Sequence, residues 1–140
     1  MATTVAFVVL VAFAGVIGKT FIQKTSQSSN VLSIDEALRL AANAVNETAP
    51  VQIDKDTRLM NAVALNRRLR YRYSLSQVSA KEFENGSITK QNAEKMRNSV
   101  CSAEGMKALV KLGTVLEYAY YDKDGVELEV VFIDTAKCTG

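Results

Sequence analysis

No histidine occurs in this chain of 140 residues, and it contains one proline and two cysteines. Without histidine, the commonest metal ligand and the commonest general base near neutral pH are both missing. The sequence also holds no Gly-rich phosphate loop, nucleophile elbow or paired-carboxylate motif. These absences argue against catalysis by the chain on its own, and no cofactor or metal is expected. A hydrophobic content of 48% with 23% charged residues excludes a disordered or low-complexity chain. The net charge of +2 is close to balance and gives no reason to expect nucleic acid as a partner.

What is present begins with an apolar run. Val5 to Ile17 carries no charge and no side chain that requires water. As a helix, Met1 to Gly18 reaches roughly 27 Å, near the lower limit for crossing a hydrocarbon core. Phe21 and Ile22 extend the apolar contact if the Lys19 stem snorkels toward the headgroups. The segment reads first as an uncleaved membrane anchor over residues 1–22. A cleaved signal segment is the alternative, although there is no basic stretch before it and no small-x-small cleavage site after it. A buried helix of a soluble protein is the third reading, and it needs a larger core than the remaining chain offers. Residues 23–30, with their Ser-Gln-Ser-Ser-Asn run, read as a tether. About 110 residues remain, enough for one small domain over 31–140.

Orientation is read two ways. Lys19 and Lys24 flank the run on its C-terminal side and would hold the domain in the cytoplasm. Cys101 and Cys138 argue for the outside, since an even pair in a small domain suits an oxidising compartment. Their spacing suggests neither metal nor redox work. They are either two unrelated buried thiols or a disulfide, whose loop of about 38 residues would add roughly 3 to 4 kcal/mol in the chain-entropy model.

Ser33-Ile-Asp-Glu36 fits a capping box, and Ile34, Ala37, Leu38, Ala41, Ala42 and Val45 follow at helical spacing, so a helix is predicted to about Glu47. From Thr57 the period becomes two. Leu59, Asn61, Val63 and Leu65 alternate imperfectly, and Leu69, Tyr71, Tyr73 and Leu75 alternate strictly with Arg68, Arg70, Arg72 and Ser74. Two strands turning near Asn66-Arg67 follow, with aliphatic and tyrosine side chains on one face and arginines on the other. Helical spacing resumes through Ile88, Met96 and Val100, breaks near Ser102 to Gly105, and ends at Gly113. Thr114 to Tyr121 and Val126 to Ile133 then read as strands joined at Asp122-Lys-Asp-Gly125. The order predicts an α+β fold: an N-terminal membrane helix followed by a small helix-strand-strand-helix-strand-strand domain with one antiparallel sheet.

The arginine row is the densest charge feature. Arginines interleaved with tyrosines can signal single-stranded nucleic acid, but here the alternation puts the two on opposite faces, where they cannot grip one base and its phosphate. Glu117, Glu127 and Glu129 occupy the corresponding face of the second hairpin, so acidic and basic rows are expected side by side. That face, with Arg68, Arg70, Arg72, Glu117, Glu127 and Glu129, is either a set of structural cross-strand pairs or a protein-binding surface. Asp122-Lys-Asp-Gly125 lacks the later ligands of a calcium loop and reads as a turn. Asn46-Glu-Thr48 and Asn85-Gly-Ser87 match the glycosylation pattern, which is frequent by chance.

The apolar start, Asp56-Thr-Arg-Leu59, Leu69-Arg-Tyr-Arg-Tyr-Ser-Leu75, Cys101, Leu116-Glu-Tyr-Ala-Tyr-Tyr-Asp122 with Gly125, and Cys138 together resemble small bacterial envelope proteins that are periplasmic or anchored in the inner membrane. The resemblance covers roughly residues 33–138. It implies a periplasmic α+β domain with a Cys101 to Cys138 bridge, and it carries over no catalytic residue. A type IV pilin has a similar plan, but position 5 is Val5 where a mature pilin carries glutamate, and Met1-Ala-Thr-Thr4 does not resemble a processed start. The expected function is a non-catalytic inner-membrane protein whose periplasmic domain binds another envelope protein. The alternatives are a secreted module such as an enzyme inhibitor, a pilin-like filament subunit, and a domain facing the cytoplasm.

Overall fold

The computed structural model describes residues 33–138. Ser33 opens the first helix: its Oγ accepts from the Glu36 amide at 3.2 Å, and Asp35 and Glu36 place negative charge in the first turn. Helix α1, Ile34–Thr48, buries the stripe Ala37, Leu38, Ala41, Ala42 and Val45. Strand β1, Val51–Gln52, is followed by a turn in which Asp54 Oδ1 accepts from the amides of Asp56 and Thr57. The chain then enters β2, Thr57–Leu65. Asn66 and Arg67, at φ of 52° and 62°, make the tight turn into β3, Arg68–Leu75. Two successive positive φ values give a hairpin turn whose twist matches the strands.

After a loop, Gly86 at φ 81° leads into α2, Ser87–Ser102, which buries Ile88, Asn92, Met96 and Val100 along one stripe. A 3₁₀ turn over Glu104–Met106 and the short α3, Lys107–Lys111, end at Gly113, where φ is 62°. Strand β4, Val115–Tyr121, turns through Asp122 to Gly125 into β5, Glu127–Asp134. Asp122 Oδ1 accepts from the amides of Asp124 and Val126, both at 2.8 Å, and Gly125 supplies the positive φ of 84°. A 3₁₀ turn over Thr135–Cys138 closes the described chain.

The strands form one sheet in the order β1-β2-β3-β4-β5. Its inner face and the helices share one core cluster, in which Leu38, Leu59, Leu69, Met96, Met106 and Leu116 are buried. Four tyrosines lie in this core. The register pairs Tyr71 with Tyr118 and Tyr73 with Tyr120, and the rings stack with centroids 5.3 and 5.4 Å apart. No described helix covers the opposite face of the sheet, which carries exposed Val63, Leu65 and Phe132.

The expected fold is corrected on two points. No helix among the described residues is long and apolar enough to cross a membrane. The anchor and tether predicted over 1–22 and 23–30 lie outside the described residues. The sheet is mixed and has five strands: β3 and β4 pair in parallel, while the other neighbours are antiparallel. Adjacent strands linked by a helical crossover return in the same direction, and the segment between Leu75 and Val115 contains α2 and α3. The additional strand, β1, was hidden by its two-residue length.

Candidate functional site

The uncovered face of the sheet is built in cross-strand rows. One row runs Leu65, Arg68, Val115, Asp134; the next runs Val63, Arg70, Glu117, Phe132; a third runs Asn61, Arg72, Ala119, Val130. Arg68, Arg70 and Arg72 thus form a column along β3, spaced by two residues and roughly 7 Å apart. Val63 and Leu65 flank the column on β2, and Phe132 stands beyond Glu117 on β5. Leu65 is 67% exposed, Phe132 57% and Val63 44%. An open concavity of about 670 Å³ lies over this part of the face, lined by Val63, Leu65, the three arginines and Tyr121 among others.

Glu117 organises the charges. It is 5% exposed and accepts from Arg70 Nε at 2.6 Å and Arg68 Nη1 at 3.0 Å. Burial pushes its carboxyl up, and the hydrogen bonds from Arg70 and Arg68 outweigh that effect, leaving its pKa below the ordinary glutamate value. The reciprocal hydrogen bond with Glu117 raises the pKa of Arg70. Glu127 accepts from Arg70 Nη1 at 3.4 Å and from the Tyr121 hydroxyl at 2.9 Å. The Arg68 guanidinium lies 6.0 Å from the Phe132 ring and that of Arg72 lies 4.6 Å from the Tyr121 ring. No carboxylate among the described residues forms an ion pair with Arg72 or with Arg58, whose position on β2 pairs with Ser74.

The structure brings together Arg68, Arg70, Arg72, Glu117 and Glu127, and it places Glu129 elsewhere. Tyr120 pairs with Glu129 in the inner row that continues Val131 and Ile133, and Tyr121 pairs with Glu127, so Leu128 is an extra residue that leaves Glu127 on the outer face and Glu129 on the inner one. There Glu129 Oε2 accepts from the Ile88 amide at 2.9 Å and Oε1 from the Thr89 hydroxyl at 2.9 Å. Its carboxylate therefore caps α2, whose N-cap position is held by Gly86, which has no side chain to do so. A second bulge acts in the opposite sense. Leu59 pairs with Tyr73 and Asn61 with Arg72, leaving Met60 extra, so Leu59 faces the core while Val63 and Leu65 are turned outward. The exposed apolar flank was therefore absent from the face inferred from the sequence. The signal that could have found it is the imperfect alternation in β2, which is the trace of the bulge.

Cys101, in the last turn of α2, and Cys138, past β5, form a disulfide with Cα atoms 5.2 Å apart and a sequence separation of 37. Asn46, within one predicted glycosylation motif, pairs with the edge of β2 instead: its Nδ2 donates to Ala62 O at 2.9 Å and its Oδ1 accepts from Ala62 N at 2.8 Å. Burial pushes the hydroxyls of Tyr71, Tyr73, Tyr118 and Tyr120 well up, away from the range useful for proton transfer near neutral pH. No group of three or more His, Cys, Asp or Glu side chains among the described residues could hold a metal ion.

The class defined by the geometry is a two-layer α+β domain with helices on one sheet face and a bare, arginine-lined opposite face. No family model matches the chain, and no curated protein matches it. Solved structures share its fold. A candidate secreted protein from Pseudomonas aeruginosa superposes with a TM-score of 0.64 and 20% identity, covering 75% of this chain and 92% of that one. EpsS, a pilotin of the Vibrio vulnificus type 2 secretion system, gives 0.60 and 9% identity over 76% of this chain and 93% of its own. AspS, a type II secretion system pilotin from Vibrio cholerae, gives 0.56 and 10% identity over 75% and 92%.

Proposed function

We propose that this chain is a non-catalytic bacterial envelope protein whose domain lies outside the cytoplasm and binds another envelope protein through the uncovered sheet face. The observation that carries this reading is that face itself, where Arg68, Arg70 and Arg72 stand among exposed Val63, Leu65 and Phe132. Sheets of two-layer domains bury one face and solvate the other, and solvated faces are normally polar. Exposed aliphatic and aromatic groups beside a charged column are the composition of a recognition surface. The Cys101–Cys138 disulfide supports an oxidising compartment. The fold shared with pilotins of two type II secretion systems supports a role beside such an apparatus.

The test is fractionation of the native host followed by reversible cross-linking in intact cells. The expected result is a disulfide-bonded protein in an envelope fraction that cross-links to a second envelope protein. Recovery of the protein with reduced thiols from the cytoplasm would overturn the reading. A second reading, a secreted module, draws on the fold shared with the candidate secreted protein. It predicts the bulk of the protein in the culture medium without an envelope partner.

A further inference from the structure

Resting on the reading of this face as protein-binding, we infer that its occupant is an acidic peptide segment of the partner, with carboxylates spaced along the β3 arginine column and apolar side chains on either side. The argument is one of surplus donors. Glu117 is shared by two arginines, and its two oxygens accept from Arg68 Nη1 and Arg70 Nε. Arg70 uses a further donor on Glu127. Arg72 and Arg58 meet no carboxylate among the described residues, and Arg68, with a half-exposed side chain, has one donor nitrogen engaged. A guanidinium carries five N–H donors in a planar fork matched to a carboxylate. The column therefore presents unused donors at Arg68 and Arg72, already oriented by the rings of Phe132 and Tyr121 beneath them.

The flanks define the rest of the partner's chemistry. On the β2 side Arg68 stands next to Leu65, Arg70 next to Val63 and Arg72 next to Asn61, while Phe132 lies on the β5 side of the Arg70 row. A carboxylate bound at Arg68 or Arg70 would lie beside Leu65 or Val63, where apolar side chains of the same peptide would cover both and strengthen the pairing. Nucleic acid fits this surface poorly. A guanidinium lies over one face of Phe132 and of Tyr121, where it competes with a stacking base, and Glu117 and Glu127 both accept from Arg70, placing negative charge beside the middle of the column that a phosphate chain would need to follow. A protein segment alternating acidic and apolar groups matches both components.

The experiment uses the full chain in its native host, with a photo-reactive amino acid at Leu65 or, as a control on the helical layer, at Lys95. Each is made in the parent and in a variant carrying Arg58→Glu and Arg72→Glu, which breaks no ion pair of the fold. Thermal unfolding verifies that the variant folds. The cross-linked partner peptide is then sequenced by mass spectrometry. The expected result is a cross-link from position 65 to a peptide carrying two or more Asp or Glu among apolar residues, with its yield reduced at least tenfold by the charge reversals. A peptide without acidic residues, or a yield indifferent to the reversals, would overturn the inference. Cross-linking from position 95 alone would overturn it while leaving the protein-binding reading intact. Cross-linking from neither position would remove both.

Discussion

Glu117 shows how one side chain sets the character of a surface. Burial alone pushes its carboxyl up, and the hydrogen bonds from its two arginine partners outweigh that push while the carboxylate holds Arg68 and Arg70 at fixed positions. Its folded-state pKa lies below the ordinary value of 4.5. The stability it contributes is therefore fully present above that value and is lost as the pH falls through the lower, folded-state pKa. Glu117→Gln is expected to cost about 1 to 2 kcal/mol near pH 6, since one partner arginine is half-exposed and can be rehydrated. The difference between parent and variant should shrink as the pH is lowered below about 4, as measured by urea unfolding at each pH. A difference that stays constant with pH would show that the ion pairs add nothing beyond packing. The arginines and Glu117 were legible from strict alternation along β3 and β4. Arg58 and Arg72 as the unpaired members were not, because pairing depends on which side chains the sheet places across from them.

At the scale of the element, bulges decide what each strand contributes. One extra residue at Leu128 separates Glu127, on the arginine face, from Glu129, on the core side, where Glu129 satisfies the amides at the start of α2. Helix N-termini require such acceptors, and a charged one also favours the helix dipole. Glu129→Ala should destabilise the protein by about 2 to 3 kcal/mol, with no change in the urea m-value. A change near zero would indicate that water replaces the carboxylate at no cost. Asn46 does comparable work at the open edge of β2, offering the amide and carbonyl of Ala62 the partners that two-residue β1 is too short to supply. Helix α1, the Asp122–Gly125 turn and the stop at Gly113 were legible because caps, Asx turns and positive-φ glycines are local. The faces of Val63, Leu65 and Glu129 were not, since a one-residue slip reverses every side chain beyond it and leaves only a blemish in the alternation.

Across the whole molecule, the disulfide fastens the end of α2 to the 3₁₀ turn after β5 and closes a loop containing α3, β4 and β5. A separation of 37 residues corresponds to about 4 kcal/mol in the chain-entropy model. The double variant Cys101→Ser with Cys138→Ser should lose about 3 to 4 kcal/mol in urea unfolding, and reduction of the parent should reproduce that loss. An unchanged midpoint would mean that the bridge adds nothing to the fold. The sequence by itself determined the α+β composition, the order of the two hairpins around a helical segment, the tyrosine side of β3 and the arginine side opposite, because these follow from periods of two and 3.6 and from turn residues. Tertiary structure decided that β3 and β4 run in parallel, that the two cysteines meet, and that aliphatic side chains from β2 stand beside the arginines in place of Glu129. Each of these depends on contacts between residues far apart in the chain, where register and crossover direction are settled by packing onto a shared core rather than by any local pattern.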